Sequence, residues 1–246
     1  MFNYLIKIEY DGTKFVGWQY QKNGFSIQDK IEKALKRIFN YKIRINGAGR
    51  TDKGVHAFGQ FANFFIKNKI IDEKKFLNSI NFFLGKNLIS IILVKKKNKE
   101  FHARHSAKER IYEYQIINRQ GRLALNKNKA WHIKKKINLS LLKKAAKLLE
   151  GTHDFSTFRA ASCSANSPIK KINSVKIKKK DDKIFIRFSS KSFLQNQVRS
   201  MVGCLKYFSV GKWSYGQFKQ AFKSKKRMKC APPAPACGLY LFNIKY

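Results

Sequence analysis

Asp52 is a lone carboxylate between Arg50 and Lys53 in GAGRTDKGVHAFGQ, residues 47–60. A carboxylate held among cations stays ionised, and an ionised Asp can serve as a nucleophile or as a base. Glycines at 47, 49, 54 and 59 allow tight turns and close approach of a ligand. Arg50, Thr51, Asp52, Lys53 and His56 gather charge and hydrogen-bonding groups in one short segment. Taken alone, such an Asp also reads as a turn residue capping a neighbouring amide. Gly47-x-Gly49 starts like a dinucleotide fingerprint, but Asp52 occupies the place of the required third glycine. No Walker-type lysine-serine pair follows, so a nucleotide cofactor is a weak reading.

Two further segments carry candidate chemistry. In FHARHSAKERIYEYQI, residues 101–116, Tyr112 and Tyr114 share one face of a strand, with Ile111 and Glu113 on the other. Aromatic rings beside Arg104 and Arg110 can stack on bases while the guanidiniums meet phosphates. The alternative is core packing with satisfied hydroxyls, expected for one of the two tyrosines. In FLQNQVRSMVG, residues 193–203, Val198, Met201, Val202 and Leu205 make a buried helix with Arg199 among them. A buried guanidinium needs an anionic partner, for which Asp52 is a candidate; otherwise Arg199 snorkels to solvent. Gly203, one turn on, allows close packing.

Composition narrows the partners. The chain of 246 residues has 53 Lys+Arg against 14 Asp+Glu, a net charge of +39. Such a surface attracts nucleic acid or anionic membrane before any specific contact forms. Much of the excess is Lys alongside Asn, Ile and Phe, a mixture that biased codon usage alone produces. No apolar run approaches the roughly 18 residues of a spanning helix, and Met1–Tyr10 lacks the apolar block of a signal peptide. A cytoplasmic location is therefore expected. Cys163, Cys204, Cys230 and Cys237 form no CxxC pair, and His102-x-x-His105 has no cysteines near it, so scattered reduced thiols are expected rather than zinc.

Periodicity predicts the elements that position these residues. Asn3–Tyr10 alternates as a strand. Ser26 caps a helix carrying Ile27, Ile31, Ala34, Leu35, Ile38 and Phe39. Short strand Lys42–Asn46 feeds the glycine loop and Phe58–Ile66 leaves it; helix Asp72–Leu84 and strand Leu88–Lys96 follow. The second half predicts strand Tyr112–Ile117, a helix capped by Ser140 and ended by Gly151, and strands Ile172–Lys178 and Ile184–Ser189. Helix Phe193–Val210, a capping box at Ser214-x-x-Gln217, and a final strand Leu239–Tyr246 after Pro232, Pro233 and Pro235 complete the order. Two α+β halves with antiparallel sheets fit this order better than a doubly wound fold, with a boundary near Phe101–Arg110.

Together these segments resemble the TruA family of tRNA pseudouridine synthases, over nearly the whole chain. The resemblance runs from EYDGTKFVGWQYQ (Glu9–Gln21) and SIQDKIEKAL (Ser26–Leu35) through the Asp52 loop, FHAR (Phe101–Arg104) and the pattern of Arg110, Tyr112 and Tyr114. It continues through GTHDFSTFRA (Gly151–Ala160), QVRSMVG (Gln197–Gly203) and APACGLYL (Ala234–Leu241). The order and spacing of these blocks carry it. It implies two α/β-sandwich, ferredoxin-like domains, 1–105 and 106–246, sharing a continuous antiparallel sheet with a basic central cleft. It also implies a homodimer, no metal or organic cofactor, and isomerisation of uridine to pseudouridine at positions 38, 39 and 40 in the tRNA anticodon stem-loop. By the same resemblance Asp52 is the catalytic aspartate, Arg50 assists flipping of the base, Tyr112 stacks on it, and Arg199 pairs with the catalytic Asp. Attack at the sugar C1′, attack on the uracil ring, and glycal formation all remain open.

Departures from the family pattern lie at Lys53 in place of Ala, Ser164 in place of Gln, Gln197 in place of Met, and Leu84-Gly85 in place of Leu-Pro. Charge alone fits an RNA chaperone or a ribosome-associated basic protein equally well; Asp52, Tyr112 and Arg199 favour the enzyme.

Overall fold

The computed structural model describes every residue from Met1 to Tyr246. Ten strands, largely antiparallel, and five α-helices divide between two compact α+β units. One unit comprises Met1–Lys108 with Leu241–Tyr246, the other Glu109–Tyr240.

In the first unit, β1 (Phe2–Tyr10) is followed by α1 (Ile27–Phe39), β2 (Ile45–Gly47), β3 (His56–Ile66), α2 (Glu73–Leu84) and β4 (Ile89–Lys97). β1 lies between β4 and β3, antiparallel to both, and β2 pairs with β3. The alternation of β1 is as the sequence predicts: Ile6 and Ile8 are fully buried while Glu9 is exposed. Tyr4 stacks on Phe64, which meets Phe76 of α2, which in turn meets Phe39 of α1. Ser26 Oγ accepts from Asp29 N–H at the start of α1, and Asp72 Oδ1 from Lys75 N–H at the start of α2. On the other face of β1, buried Asn3 and Asn63 bond to each other, to the carbonyls of Asn98 and Phe101 and to Ala103 N–H. That network holds the backbone of the FHAR segment.

The second unit contains β5 (Glu109–Asn118), β6 (Trp131–Ile133), α3 (Leu139–Lys147), β7 (Gly151–Asp154), β8 (Ile169–Lys180), β9 (Lys183–Ser190), α4 (Gln197–Ser209) and α5 (Tyr215–Lys223). Its antiparallel strands run in the order β5-β9-β8-β7, and β6 adds to β5 in parallel. The last strand, β10 (Leu239–Lys245), begins in this unit and ends in the first. The predicted capping box is present, Ser214 and Gln217 bonding reciprocally at the start of α5.

Several predicted boundaries are corrected. The α3 cap is Asn138, whose Oδ1 accepts from Leu141 N–H at 3.1 Å, and Ser140 lies inside the first turn. Gly151 opens β7 rather than closing α3, which ends at Lys147. Helix α4 starts at Gln197 rather than Phe193, because Asn196 adopts φ 61° and breaks the helical path. Strand β2 spans Ile45–Gly47, starting three residues and ending one residue later than predicted. β6 and β7, three and four residues long, are too short for period-two alternation to reveal. The cysteines are free but not all scattered: Cys204 and Cys230 bring their sulfurs to 3.5 Å.

One face of α4 is clasped by the segment 227–234. Arg227 donates to Ser200 Oγ, Ala231 N–H to Cys204 Sγ, and Ala234 N–H to the Arg199 carbonyl. A Cβ on Gly203 would lie 2.1 Å from the Pro232 carbonyl oxygen, so the two backbones meet only because residue 203 is glycine. Gly203→Ala is therefore expected to destabilise by about 1–3 kcal/mol through overpacking, outweighing the up to ~1 kcal/mol that Ala gains in a helix. Thermal unfolding followed by circular dichroism should show a midpoint several degrees lower; an unchanged or raised midpoint would refute the close-packing argument.

Candidate active site

The Asp52 loop is built on the ends of β2 and β3. Ala48 N–H donates to Phe61 O at 2.8 Å, continuing the pairing that ends at Gly47 and Ala62. Asp52 then forms an isolated antiparallel bridge with Gly17, and Trp18 N–H donates to Thr51 O at 3.0 Å. Val55 N–H closes a turn onto the Asp52 carbonyl at 3.1 Å. Gly54, third residue of that turn, has φ +77°, as a type II turn demands.

Side chains anchor the same loop. Thr51 is only 7% exposed, and its Oγ1 lies 2.7 Å from the Tyr10 hydroxyl. Gln60 Nε2 donates to Gly49 O at 2.8 Å. The indole of Trp18 packs against Gly47, where a Cβ would fall 2.4 Å from Nε1. His56 turns inward and is 1% exposed; its Nδ1 accepts from Gly12 N–H at 3.1 Å and lies 3.0 Å from Asp11 Oδ1. Of the loop's functional groups, His56 thus belongs to the scaffold, Asp52 is half-buried, and Arg50 and Lys53 are exposed. The result is a carboxylate on immobilised backbone, with cations of the same loop facing solvent. Such a group can act as nucleophile or base toward a polyanion.

Tyr10, Trp18 and Gln60 carry this anchoring, and sequence reasoning assigned them no role. The alternation of β1 does place Tyr10 on the buried face with Ile6 and Ile8. Which loop its hydroxyl meets depends on a contact 41 residues away along the chain.

Arg110, Tyr112, Tyr114 and Arg199 belong to the second unit, while His102, Arg104 and His105 lie in the first. Tyr114 is fully buried and donates its hydroxyl to Pro235 O at 2.7 Å. Burial pushes its phenol well above the usual range, so it remains a neutral donor. Tyr112 is buried as well, so the core takes both tyrosines where only one is expected from the sequence. Tyr112, two residues earlier on the same strand, pairs with Phe188, is 8% exposed, and meets Phe193 edge-on at 5.2 Å. Arg199 does not snorkel: it is half-buried, with Nε donating to Ala234 O at 2.8 Å and Nη1 to Asn196 Oδ1 at 3.1 Å. Arg110 donates to the Lys191 carbonyl just past the end of β9, and Arg104 is exposed. Arg50 and Asp52 thus share one loop of the first unit, while Tyr112 and Arg199 lie in the second. The rings of His102 and His105 stand 4.4 Å apart. No group of three or more His, Cys, Asp or Glu side chains is gathered in a way that could hold a metal ion.

Comparison with known proteins places these features in a family. The family model described as tRNA pseudouridine synthase matches residues 6–106 and 145–246, taking in the Asp52 loop and α4. The tRNA pseudouridine synthase A of Pelagibacter ubique is 53% identical over 246 residues, covering all of both chains. The Thermoanaerobacter pseudethanolicus protein of the same name is 41% identical over the full length of both. That of Maricaulis maris is 40% identical, over 99% of this chain and 97% of its own. With a family model across most of its length and full-length relatives at this identity, the chain belongs to the tRNA pseudouridine synthase family.

Proposed function

We propose that this protein isomerises uridine to pseudouridine in tRNA, at positions 38, 39 and 40 of the anticodon stem-loop, with Asp52 as the catalytic carboxylate. The observation that carries the reading is Asp52 itself, on a loop anchored from both flanks in a chain matched end to end by tRNA pseudouridine synthases. The reaction breaks the bond between N1 and C1′, turns the base, and joins C5 to C1′. The proton lost from C5 is balanced by one gained at N1, so no oxidant or co-substrate is needed. Asp52 attacks C1′ or the ring, or abstracts a proton to give a glycal.

The remaining roles follow the family pattern. The target uridine is extruded from its stack at a cost of a few kcal/mol. Stacking on Tyr112 returns about 1–3 kcal/mol, Arg50 occupies the vacated space, and Arg199 supplies the cation that pairs with the carboxylate. The division of labour is residues 1–105 for the Asp loop and 106–246 for the stacking Tyr and the Arg helix. We further propose that the enzyme acts as a cytoplasmic homodimer; light scattering at micromolar protein would instead give a single-chain mass if that is wrong. No helix is long and apolar enough to cross a membrane.

Asp52→Ala is expected to abolish pseudouridine formation while tRNA affinity stays within a few-fold of wild type. Carbodiimide mapping of treated transcripts reads both the loss and the positions; continued modification by the variant would sink the assignment. Tyr10→Phe leaves the buried Thr51 hydroxyl without that partner, at about 1 kcal/mol. Because the anchor lies behind the loop, the expected result is a kcat several-fold lower with tRNA affinity unchanged; a pure affinity loss would contradict it. Finally, log Kd should rise steeply with log salt as Lys and Arg release counterions from phosphates. A flat dependence would mean that the +39 charge is compositional drift.

A further inference from the structure

A cavity of about 460 Å³ opens in the second unit, lined by Leu148, His153, Asp154, Lys219, Phe222, Lys223 and Lys225. Its volume lies within the roughly 300–1,000 Å³ typical of ligand sites. The aromatic wall is rigid: the Phe222 ring packs against Phe155 and Phe158 at centroid distances of 5.7 and 5.5 Å, and against His153 at 5.3 Å. His153 Nε2 is engaged with the Glu150 carbonyl at 2.7 Å, which fixes the plane of its ring. Beside these apolar walls stand three exposed lysines and one carboxylate, Asp154, lying 3.7 Å from Lys225 Nζ.

Lys225 is an independent pointer. It follows α5 with φ +54°, a left-handed conformation suited to Gly or Asn and strained for other residues, whose Cβ meets the following carbonyl. Strain of this kind marks positions where the side chain matters. Its ion pair does not account for it, because the Lys225 side chain is 65% exposed and such pairs contribute little.

We propose that this cavity is a second RNA subsite, taking one unstacked nucleobase against Phe222 and His153 with adjoining phosphates on Lys219, Lys223 and Lys225. The inference rests on tRNA being the substrate. It assigns the cavity to a nucleotide other than the uridine being modified, since none of its residues belongs to the Asp52 loop, β5 or α4. Aromatic walls and cations match the two faces of a nucleotide, one apolar and stacking, the other anionic.

The test measures binding of full-length tRNA transcript by fluorescence anisotropy across a salt series, with pseudouridine formation followed separately. Leu148→Trp fills the cavity and should weaken tRNA binding at least about fivefold, the loss expected when one base cannot stack. Lys225→Gly relieves the left-handed strain, so the melting temperature should hold or rise. At the same time the slope of log affinity against log salt should shrink by about 0.7, one phosphate contact. Both variants should modify tRNA at the wild-type rate once it is saturating. Wild-type affinity and salt slope in both would overturn the subsite while leaving the enzymatic reading intact. Wild-type protein that binds no tRNA would overturn both together. Should Leu148→Trp melt early, Lys223→Gln decides: an unchanged affinity and salt slope there refutes the subsite.

Discussion

The attachment of Thr51 is the constraint on which the Asp52 loop depends. Its carbonyl accepts from Trp18 N–H, its hydroxyl meets Tyr10, and the next residue bridges to Gly17. A glycine-rich loop left to itself would sample many conformations, at an ordering cost of about 1–2 kcal/mol per residue. Here that cost is met in the fold, so the backbone that carries the carboxylate is held before any ligand arrives. Preorganisation of this kind is what a charged catalytic group needs, since reorienting it during reaction would add to the barrier. The inward-facing His56 and its contacts with Asp11 and Gly12 extend the scaffold behind the loop.

The second unit uses a different device for the same purpose. Its proline-containing segment cannot join a helix or a central strand, so it lies along α4 and bonds through carbonyls and amides that the prolines leave available. Ala234 holds both the main chain and the guanidinium of Arg199, and Pro235 receives the Tyr114 hydroxyl. Strand β5 and helix α4 are thereby tied to one short irregular stretch. The Ala234 carbonyl on that stretch and Asn196 Oδ1 at the start of α4 together orient the Arg199 guanidinium.

Charge works at longer range than these contacts. Most of the 53 basic residues are Lys rather than Arg, and a Lys ammonium is a flexible point charge suited to phosphate attraction more than to fixed recognition. Specific geometry is left to a few groups that packing immobilises: Asp52 on its loop, Tyr112 beside Phe188 and Phe193, and Arg199 on α4. In the proposed reaction the basic surface gathers RNA, and these groups act on it.

Local pattern alone was sufficient for the long elements. The alternation in β1, the spacing of Ile27, Ile31 and Leu35 in α1, and the Ser214 capping box each state their structure within a few residues. So did the motifs, because Asp52, Tyr112 and Arg199 sit in short blocks whose order along the chain identifies the family. Sequence failed where the deciding contact is distant or the signal short. Asn138 took the cap expected of Ser140, Asn196 delayed the start of α4, and three- and four-residue strands exist only because β5 and β8 offer them a partner edge. Tyr10, Trp18 and Gln60 are polar or aromatic residues with several plausible fates in a linear reading. Only the fold brings Tyr10 to Thr51 across 41 residues, because hydrogen bonds and packing act through space and depend on sequence separation only through the entropy of closing the loop.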